Sequence, residues 1–289
     1  MQKSPRILIT GSNGFIGSRL KNSFLNDGQK INELAKDKQS LFDISSLKEK
    51  LENTDIIFHF AGATAGSGHD PGKSALIRNN IEATFNLLKA IKVYCKKTPL
   101  LINMSSIHVY DKSLSILSET SELLPSNTYG MTKLAQEFLV KQATFSGTIK
   151  SIIFRASNIY GEGDRPNHNS AIATFCHKIK HDSEIQLFAN GEATFDLIYI
   201  DDVIQILRNV QEIKANDGQV FNIASGNTVT INQVVEHLEK IANKNIKKKM
   251  VEGSTYGFSV KIDKLKKEFS EIQQHNLFEG LKKTYEGTN

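Results

Sequence analysis

Three side chains in this sequence have the types and spacing needed to move a proton to or from a carbonyl oxygen. Tyr129 and Lys133 lie four residues apart, so on a helix they share one face. A phenol has an ordinary pKa of about 10, and a nearby ammonium group favours the phenolate and lowers that value. Ser106 can donate a hydrogen bond to the same oxygen. Together the three groups could interconvert a carbonyl and an alcohol.

A glycine-rich turn near the start of the chain is the second chemical feature. Its glycines recur every third residue between an apolar run and a helical pattern. Such a turn lets the backbone approach a diphosphate closely, and the helix N-terminus that follows attracts an anion. We therefore predict a dinucleotide site, although tight strand–helix packing is an alternative reason for the glycines. The predicted cofactor contacts in the turn are Gly11, Asn13, Gly14, Phe15, Ile16 and Gly17.

The residues after the second strand bear on the choice of dinucleotide. An acidic residue usually lies there and binds the adenosine ribose hydroxyls. The expected position holds Ala35, and Lys36 follows, which favours the 2′-phosphate of NADP. Glu33 keeps NAD open if the strand is shifted by two residues. Asp43 and Ile44, the next polar–apolar pair, are predicted to meet the adenine.

The elements that must position these side chains alternate between strands and helices. Apolar runs at residues 6–10, 55–60, 100–104 and 151–155 predict buried strands. Helical patterns cover residues 18–26, 74–95 and 129–142. This alternation predicts an α/β fold with a doubly wound parallel sheet and helices on both faces.

The alternation of strand and helix patterns becomes less regular after residue 162, which suggests a second region. We predict a dinucleotide-binding domain over residues 1–162, to which residues 195–212 return. Residues 163–289 form mainly a smaller mixed substrate lobe in this interpretation.

Composition excludes several classes of protein. The chain has 289 residues, a formal net charge of +5 and two cysteines, Cys95 and Cys176, which suits a cytoplasmic protein without a disulfide framework. No apolar run reaches the roughly 18 residues of a membrane helix, so we expect no membrane partner. The positive charge is dispersed without interleaved aromatic residues, so nucleic acid is not expected. No metal site is predicted.

These motifs together resemble the extended short-chain dehydrogenase/reductase family, in particular its nucleotide-sugar epimerases, dehydratases and reductases. The matching segments are residues 10–17, 59–63, 80–88, 105–110, 155–161 and 195–203. The resemblance implies a Rossmann-like sheet, with Ser106, Tyr129 and Lys133 as catalytic residues. It adds cofactor contacts at Phe60, Ala61, Gly62, Asn80, Tyr129 and Lys133. It also implies a homodimer formed through the helices at residues 74–95 and 129–142.

The resemblance further implies a nucleotide-activated sugar as the substrate. Residues 165–177 are similar to capsule and O-antigen reductases that reduce a 4-keto-6-deoxy sugar. The residues predicted to bind the substrate are Thr64, Ser106, Asn158, Arg165, Asn169 and Phe188. The sequence departs from the family at Phe195, where relatives carry an arginine that contacts the diphosphate.

His108 narrows the expected reaction. Dehydratases of this family carry an Asp-Glu pair where this chain has Ile107 and His108, which disfavours dehydration. His108 could act as a second acid–base or substrate contact, or only orient its loop. The favoured hypothesis is NADPH-dependent reduction of a 4-keto nucleotide sugar for surface polysaccharide. The alternatives are an NAD-dependent 4-epimerase and, more distantly, a non-catalytic NADP sensor.

Overall fold

The computed structural model describes residues 4–34, 40–64, 71–166, 170–213, 217–253, 255, 257–269 and 274–288. Its centre is a six-stranded parallel sheet, which confirms the predicted doubly wound α/β fold. The strands are β1 (Ile7–Thr10), β2 (Ile31–Glu33), β3 (Ile56–His59), β4 (Leu100–Ser106), β5 (Ile116–Leu117), β6 (Lys150–Ala156), β7 (Asn158–Tyr160), β8 (Ile185–Phe188), β9 (Thr194–Tyr199), β10 (Asp217–Ile223), β11 (Thr228–Thr230), β12 (Lys248–Val251) and β13 (Ser259–Val260). The central order is β10-β6-β4-β3-β1-β2.

The helices follow the strands in sequence. They are α1 (Phe15–Asn26), α2 (Lys48–Leu51), α3 (Lys73–Leu76), α4 (Ala83–Tyr94), α5 (Thr128–Phe145), α6 (Ala171–Lys180), α7 (Ile200–Arg208), α8 (Ile231–Ala242), α9 (Asp263–Glu268) and α10 (Leu277–Gly287). A π-helical segment, Ile77–Glu82, joins α3 to α4, so the predicted helix at residues 74–95 is continuous but irregular.

Alternate residues of the central strands pack against helices on opposite faces of the sheet. Leu8 and Ile57 belong to a buried cluster that includes residues of α2, α4 and α5. Ile9 and Phe58 belong to a second cluster that includes residues of α1 and α7. Because both faces are buried, the strands read as continuous apolar runs without alternation.

The sixth strand of the sheet was missed in the sequence analysis. Strand β10 lies at the sheet edge and pairs with β6 in parallel. Its sequence begins with Asp217-Gly218-Gln219, and a register shift occurs there, so only its second half has the apolar character of a buried strand. The proposed boundary at residue 162 remains a prediction, and this strand lies beyond it.

Three smaller sheets lie outside the central one. Strands β11, β9 and β7 form a mixed sheet, and the pairs β12–β8 and β13–β5 are parallel. Helix α10 contacts α6 and α8. Apart from β5 and β7, these elements follow residue 162, and the division into two regions there stays a prediction.

The carboxyl ends of the central strands bring the predicted site residues to one edge. Thr10 pairs in register with His59 in the neighbouring strand, and Ser106 pairs with Ala156. The glycine turn therefore begins beside the end of β3, two strands away from Ser106. In open parallel sheets this edge is where ligands bind.

Candidate active site

The first turn of α5 is fixed onto the loop that follows β4. Asn127 caps the helix, because its Oδ1 accepts a hydrogen bond of 2.8 Å from the Gly130 amide. A Cβ at Gly130 would lie 2.2 Å from the carbonyl oxygen of His108, so only glycine permits this approach. The close contact holds Tyr129 over Ser106 and His108.

Two of the three predicted catalytic residues, Ser106 and Tyr129, come together at this contact. The Ser106 hydroxyl hydrogen-bonds the Tyr129 phenol, and its oxygen accepts the His108 amide at 3.2 Å. The rings of His108 and Tyr129 meet edge to face, with centroids 5.8 Å apart. Lys133 lies one helical turn beyond Tyr129 on α5.

Burial controls the protonation of these groups. It raises the pKa of Tyr129 to about 12, although the Ser106 hydrogen bond opposes the shift. It lowers the pKa of Lys133 to about 8, against the attraction of the Glu137 carboxylate. The pKa of Tyr129 therefore lies above its ordinary value rather than below it as its spacing from Lys133 predicts, because desolvation of the phenolate is the largest effect.

His108 has a lowered pKa, caused by burial and by the nearby Lys112. Its imidazole is therefore neutral at pH 7 and can give or accept a single hydrogen bond at each nitrogen. The site thus presents a protonated phenol, a serine hydroxyl and a neutral imidazole together. This set can donate hydrogen bonds or a proton to one oxygen atom.

The glycine turn has the shape that a dinucleotide diphosphate requires. Gly11 has φ +70°, and a Cβ there would lie 2.7 Å from the Ala61 amide nitrogen. A Cβ at Gly17 would lie 2.2 Å from the Gly11 carbonyl oxygen. Gly14 caps α1 without a side chain, so the first-turn amides face an open turn. The residues present therefore fit a dinucleotide.

Glu33 lies closer to this turn than the sequence analysis expected. Its carboxylate accepts a hydrogen bond of 2.9 Å from the Ser12 hydroxyl and pairs with Lys21 at 3.2 Å. The Ser12 hydrogen bond is the main cause of its lowered pKa, so the carboxylate is ionised at neutral pH. Its register partner on β1 is Ile9, just before the turn. Ala35 and Lys36 lie outside the described residues.

Asn80 is buried in the π-helical segment and connects two parts of the predicted cofactor site. Its Oδ1 accepts the Ala63 amide at 2.7 Å, and its Nδ2 donates to the Ala63 carbonyl at 3.0 Å. The same Nδ2 donates to the Thr132 hydroxyl at 2.9 Å. These bonds tie the segment after β3 to α5, next to Tyr129 and Lys133.

The remaining predicted cofactor residues differ in their exposure to solvent. Phe60, Ala61 and Ile44 are half-buried, whereas Gly62 and Asp43 are exposed. Asp43 accepts hydrogen bonds from the Ser45 amide and hydroxyl, which begin a short 3₁₀ turn.

The predicted substrate residues are spread over the mixed region. Asn158, at the start of β7, donates to the Asp196 carbonyl at 3.2 Å. Phe188 is 63% exposed, and Arg165 is exposed as well. Thr64 is half-buried. Asn169 lies outside the described residues. The contacts above join Ser106, His108 and Tyr129 to one another, with Lys133 one helical turn away, but do not join this second group to them.

Phe195 is half-buried on β9, where relatives are expected to carry an arginine. It pairs in register with Val229 of β11. The next residue, Asp196, is buried and accepts bonds from Ser157 and from the amides of Ser225 and Gly226. The strand is thus firmly held, although the arginine is missing.

His59 supports the site through two hydrogen bonds, a role that the matching segment at residues 59–63 does not reveal. Its Nδ1 meets the Thr10 hydroxyl at 2.8 Å and its Nε2 meets the Thr84 hydroxyl at 2.9 Å. Burial, and then the Lys133 charge, lower its pKa to about 3, so it is neutral. It links the ends of β1 and β3 to α4. Among the described residues, no group of three or more His, Cys, Asp or Glu side chains is arranged to hold a metal ion.

In the part of the chain that the structure describes, no helix is both long enough and apolar enough to cross a bilayer.

The doubly wound sheet, the glycine turn and the Ser–Tyr–Lys set define a class, the dinucleotide-dependent enzymes of the extended short-chain dehydrogenase/reductase type. The sequence model of the NAD dependent epimerase/dehydratase family matches residues 7–224. The chain belongs to this family.

Two reductases are among its most similar curated relatives. A UDP-2-acetamido-2,6-beta-L-arabino-hexul-4-ose reductase of Pseudomonas aeruginosa is 29% identical over 82% of this chain and 58% of its own length. A dTDP-4-dehydro-6-deoxyglucose reductase of Escherichia coli is 35% identical over 47% of this chain and 43% of its own length. The chain therefore spans about half the length of these two relatives.

Epimerases match over the whole chain. A UDP-glucuronate 4-epimerase of Thermodesulfobacterium geofontis is 25% identical over 96% of this chain and 94% of its own length. The crystal structure of UDP-glucuronic acid 4-epimerase from Bacillus cereus, in complex with UDP-glucuronic acid and NAD, superposes with a TM-score of 0.87. It covers 98% of both chains at 24% identity, which supports the shared fold.

The three hydrogen bonds of Asn80 lead to a prediction about stability. We expect Asn80→Ala to lower the free energy of unfolding by about 1–3 kcal/mol, because it removes two hydrogen bonds to the Ala63 backbone and one to the buried Thr132 hydroxyl. Urea unfolding followed by circular dichroism measures this change. The neighbouring variant Asn79→Ala, which loses one bond to Ala75 within the helix, is the control and should cost less. Equal losses in the two variants would contradict the bridging role of Asn80.

Proposed function

We propose that this protein reduces a 4-keto nucleotide sugar to the corresponding alcohol, with a reduced nicotinamide dinucleotide as the hydride donor. The observation that carries this proposal is the protonated Tyr129 phenol, whose pKa burial raises to about 12, beside the Ser106 hydroxyl. Reduction of a ketone requires an acid at the carbonyl oxygen, and a phenol that holds its proton is ready to act as one. The two reductase relatives support the same reaction.

In the proposed reaction the ketone carbon gains a hydride and its oxygen gains a proton. The bound reduced nicotinamide supplies the hydride. Ser106 donates a hydrogen bond to the oxygen as negative charge develops on it. Tyr129 then transfers its proton to that oxygen, and the resulting phenolate is stabilised by the Lys133 ammonium until it recovers a proton from solvent. The products are the sugar alcohol and the oxidised dinucleotide, so charge and electrons balance.

Lys133 has a second role in the proposed reaction, which is to bind the cofactor. Its half-buried side chain lies one turn from Tyr129 and follows Thr132, which Asn80 ties to the segment after β3. We propose that it also holds the nicotinamide ribose. The neutral His108, edge-on to Tyr129, would donate a hydrogen bond to the sugar rather than a proton.

A nucleotide-sugar 4-epimerase is the second candidate. The observation that favours it is the match of the Thermodesulfobacterium geofontis epimerase over nearly the full length of both chains. Epimerisation uses the same Ser106, Tyr129 and Lys133, because one carbon is oxidised and then reduced. It differs in needing a tightly held NAD and in consuming no reductant.

The cofactor proposal rests on Glu33. An ionised carboxylate beside the glycine turn can accept hydrogen bonds from ribose hydroxyls and repels a 2′-phosphate. This favours NADH, whereas the sequence argument from Lys36 favours NADPH. We propose NADH as the better reductant because Glu33 contacts the turn directly through Ser12.

A homodimer is the proposed assembly. Helix α5 exposes Met131, Phe138 and Phe145 at intervals of seven residues, and α4 exposes Phe85 and Val93. Phe145 is 96% exposed and Phe138 is 61% exposed. An apolar surface of this kind on two neighbouring helices fits the same surface of a second copy.

The proposed acid yields the first prediction from this function. We expect Tyr129→Phe to lower kcat for 4-keto sugar reduction about a hundredfold or more, because the proton donor is lost. Loss of reduced-nicotinamide absorbance with UDP-linked and dTDP-linked 4-keto-6-deoxy sugars measures the rate. Tyr285→Phe, on the distant α10, is the control and should keep full activity. Full activity in Tyr129→Phe would overturn the catalytic proposal and favour a sensor.

The choice of dinucleotide gives a separate prediction. We expect the unmodified protein to have the higher kcat/KM with NADH, and Glu33→Gln to raise the NADPH/NADH ratio about tenfold, since one repulsive charge is removed. Saturation curves with each reductant measure the ratio. A ratio unchanged by the substitution would show that Glu33 does not face the ribose.

The exposed helical surface predicts the oligomeric state. We expect Phe138→Glu to convert a dimer into a monomer, because a carboxylate cannot be buried there without a partner. Analytical ultracentrifugation measures the mass. The control is Met250→Glu, which alters an apolar side chain of similar exposure (55%) on β12 and should leave the dimer intact. A monomeric parent protein would contradict the proposed interface.

A further inference from the structure

A buried ion pair lies one helical turn beyond Lys133, inside the protein. The Glu137 side chain is 0% exposed and that of Arg155 is 2% exposed. Two hydrogen bonds join them, from Arg155 Nη2 to Glu137 Oε2 at 2.7 Å and from Nε to Oε1 at 2.9 Å. Removing two charges from water is costly, and apolar residues of similar size often stabilise a core as well. The pair is therefore a candidate for a purpose besides stability.

Each side chain of this pair has at least one further hydrogen-bond partner. The Ser105 hydroxyl donates to Glu137 Oε1 at 2.5 Å. Arg155 Nη1 donates to the Tyr110 hydroxyl at 3.1 Å and to the Glu119 carbonyl at 3.3 Å. The cluster thus joins β4, α5 and β6 to the loop that follows Ser106. Neither side chain can turn away without losing several bonds.

The cluster adjoins the proposed catalytic residues on two sides. Tyr129, Lys133 and Glu137 follow one another at intervals of four residues, so they form a stripe along α5. Ser105 immediately precedes Ser106 on β4, and successive side chains of a strand point to opposite faces. Glu137 therefore meets β4 through Ser105, next to the strand position that carries Ser106.

The charges around Lys133 come from several elements. Burial lowers the pKa of Lys133 to about 8, and the Glu137 carboxylate raises it. His59 on β3 is neutral, since burial and then the Lys133 charge lower its pKa to about 3. Arg155 on β6 is a cation that faces Glu137 directly. Glu137 is thus the anion that opposes the loss of the Lys133 proton.

We propose that Glu137, fixed by Arg155 and Ser105, is a positioning residue that keeps Lys133 protonated while Tyr129 transfers its proton. The inference rests on the proposed function, because it assigns a purpose to Lys133 in that reaction. Without Glu137 the ammonium would lose its proton at a lower pH, and the phenolate left by proton transfer would lose its stabilising charge.

The direct test is a titration of Lys133 in the full-length chain as purified. With lysine labelled at its ¹³Cε, the Lys133 resonance is identified by its absence in Lys133→Met. We expect a midpoint near pH 8 in the unmodified protein. In Glu137→Gln we expect the midpoint to fall by about one unit or more, as loss of a close opposite charge predicts. The alkaline limb of the pH profile of kcat/KM should move by the same amount.

Two further variants separate this purpose from a merely structural one. Glu137→Gln leaves Arg155 as an unpaired buried charge and can weaken the fold, so the double variant Glu137→Leu with Arg155→Leu replaces the pair by apolar packing. We expect it to fold and to show a smaller fall of the Lys133 midpoint than Glu137→Gln, because the Arg155 cation is lost together with the Glu137 anion. Glu52→Gln is the control, because its ion pair with Lys96 is exposed, and it should leave the midpoint unchanged.

The outcomes distinguish this inference from the proposed function. Folded Glu137→Gln and double variants that both keep the midpoint and alkaline limb of the unmodified protein would overturn the inference and leave Glu137 as a structural residue. A lowered midpoint in a protein that reduces none of the sugars offered would support the inference and overturn the reductase proposal instead.

Discussion

The burial of a lysine ammonium beside a tyrosine is the constraint on which the rest of the site depends. Lys133 lies where desolvation lowers its pKa to about 8, and Tyr129 where desolvation raises its pKa to about 12. Each group is thereby pushed toward its neutral form. The ammonium charge of Lys133 needs a stabilising anion, and Glu137 of the buried Glu137–Arg155 pair lies one helical turn away. On the Tyr129 side, the Ser106 hydroxyl hydrogen-bonds the phenol.

The fold satisfies this constraint by placing α5 against the carboxyl edge of a parallel sheet. Asn127 begins the helix, Gly130 lets it touch the loop after β4, and Thr132 connects it through Asn80 to the segment after β3. The glycine turn lies at the same edge, because Thr10 and His59 end neighbouring strands. The cofactor and the reacting groups are therefore brought together by strand register rather than by one continuous motif.

Much of this architecture could be predicted from sequence because its signals are local. Unbroken apolar runs marked four central strands, and the glycine spacing with its strand–helix context marked the turn. Strand β10 escaped because its first half is polar and glycine-containing, so that only pairing with β6 defines it. The prediction of a lowered Tyr129 pKa is wrong because burial, which raises this pKa, arises only when the chain packs. In the sequence, Glu137 is an ordinary helix residue and Arg155 lies near the end of a strand. Only the packed structure shows that they form a buried ion pair.

The central claim is that the site transfers a hydride to a sugar ketone in one direction. The most direct measurement is the reaction of a 4-keto nucleotide sugar with reduced dinucleotide deuterated at the transferred position of nicotinamide C4, followed by mass spectrometry of the product. We expect one deuterium at the new alcohol carbon and one dinucleotide oxidised for each product molecule. Interconversion of two sugar alcohols at C4 with no net oxidation of dinucleotide would contradict it.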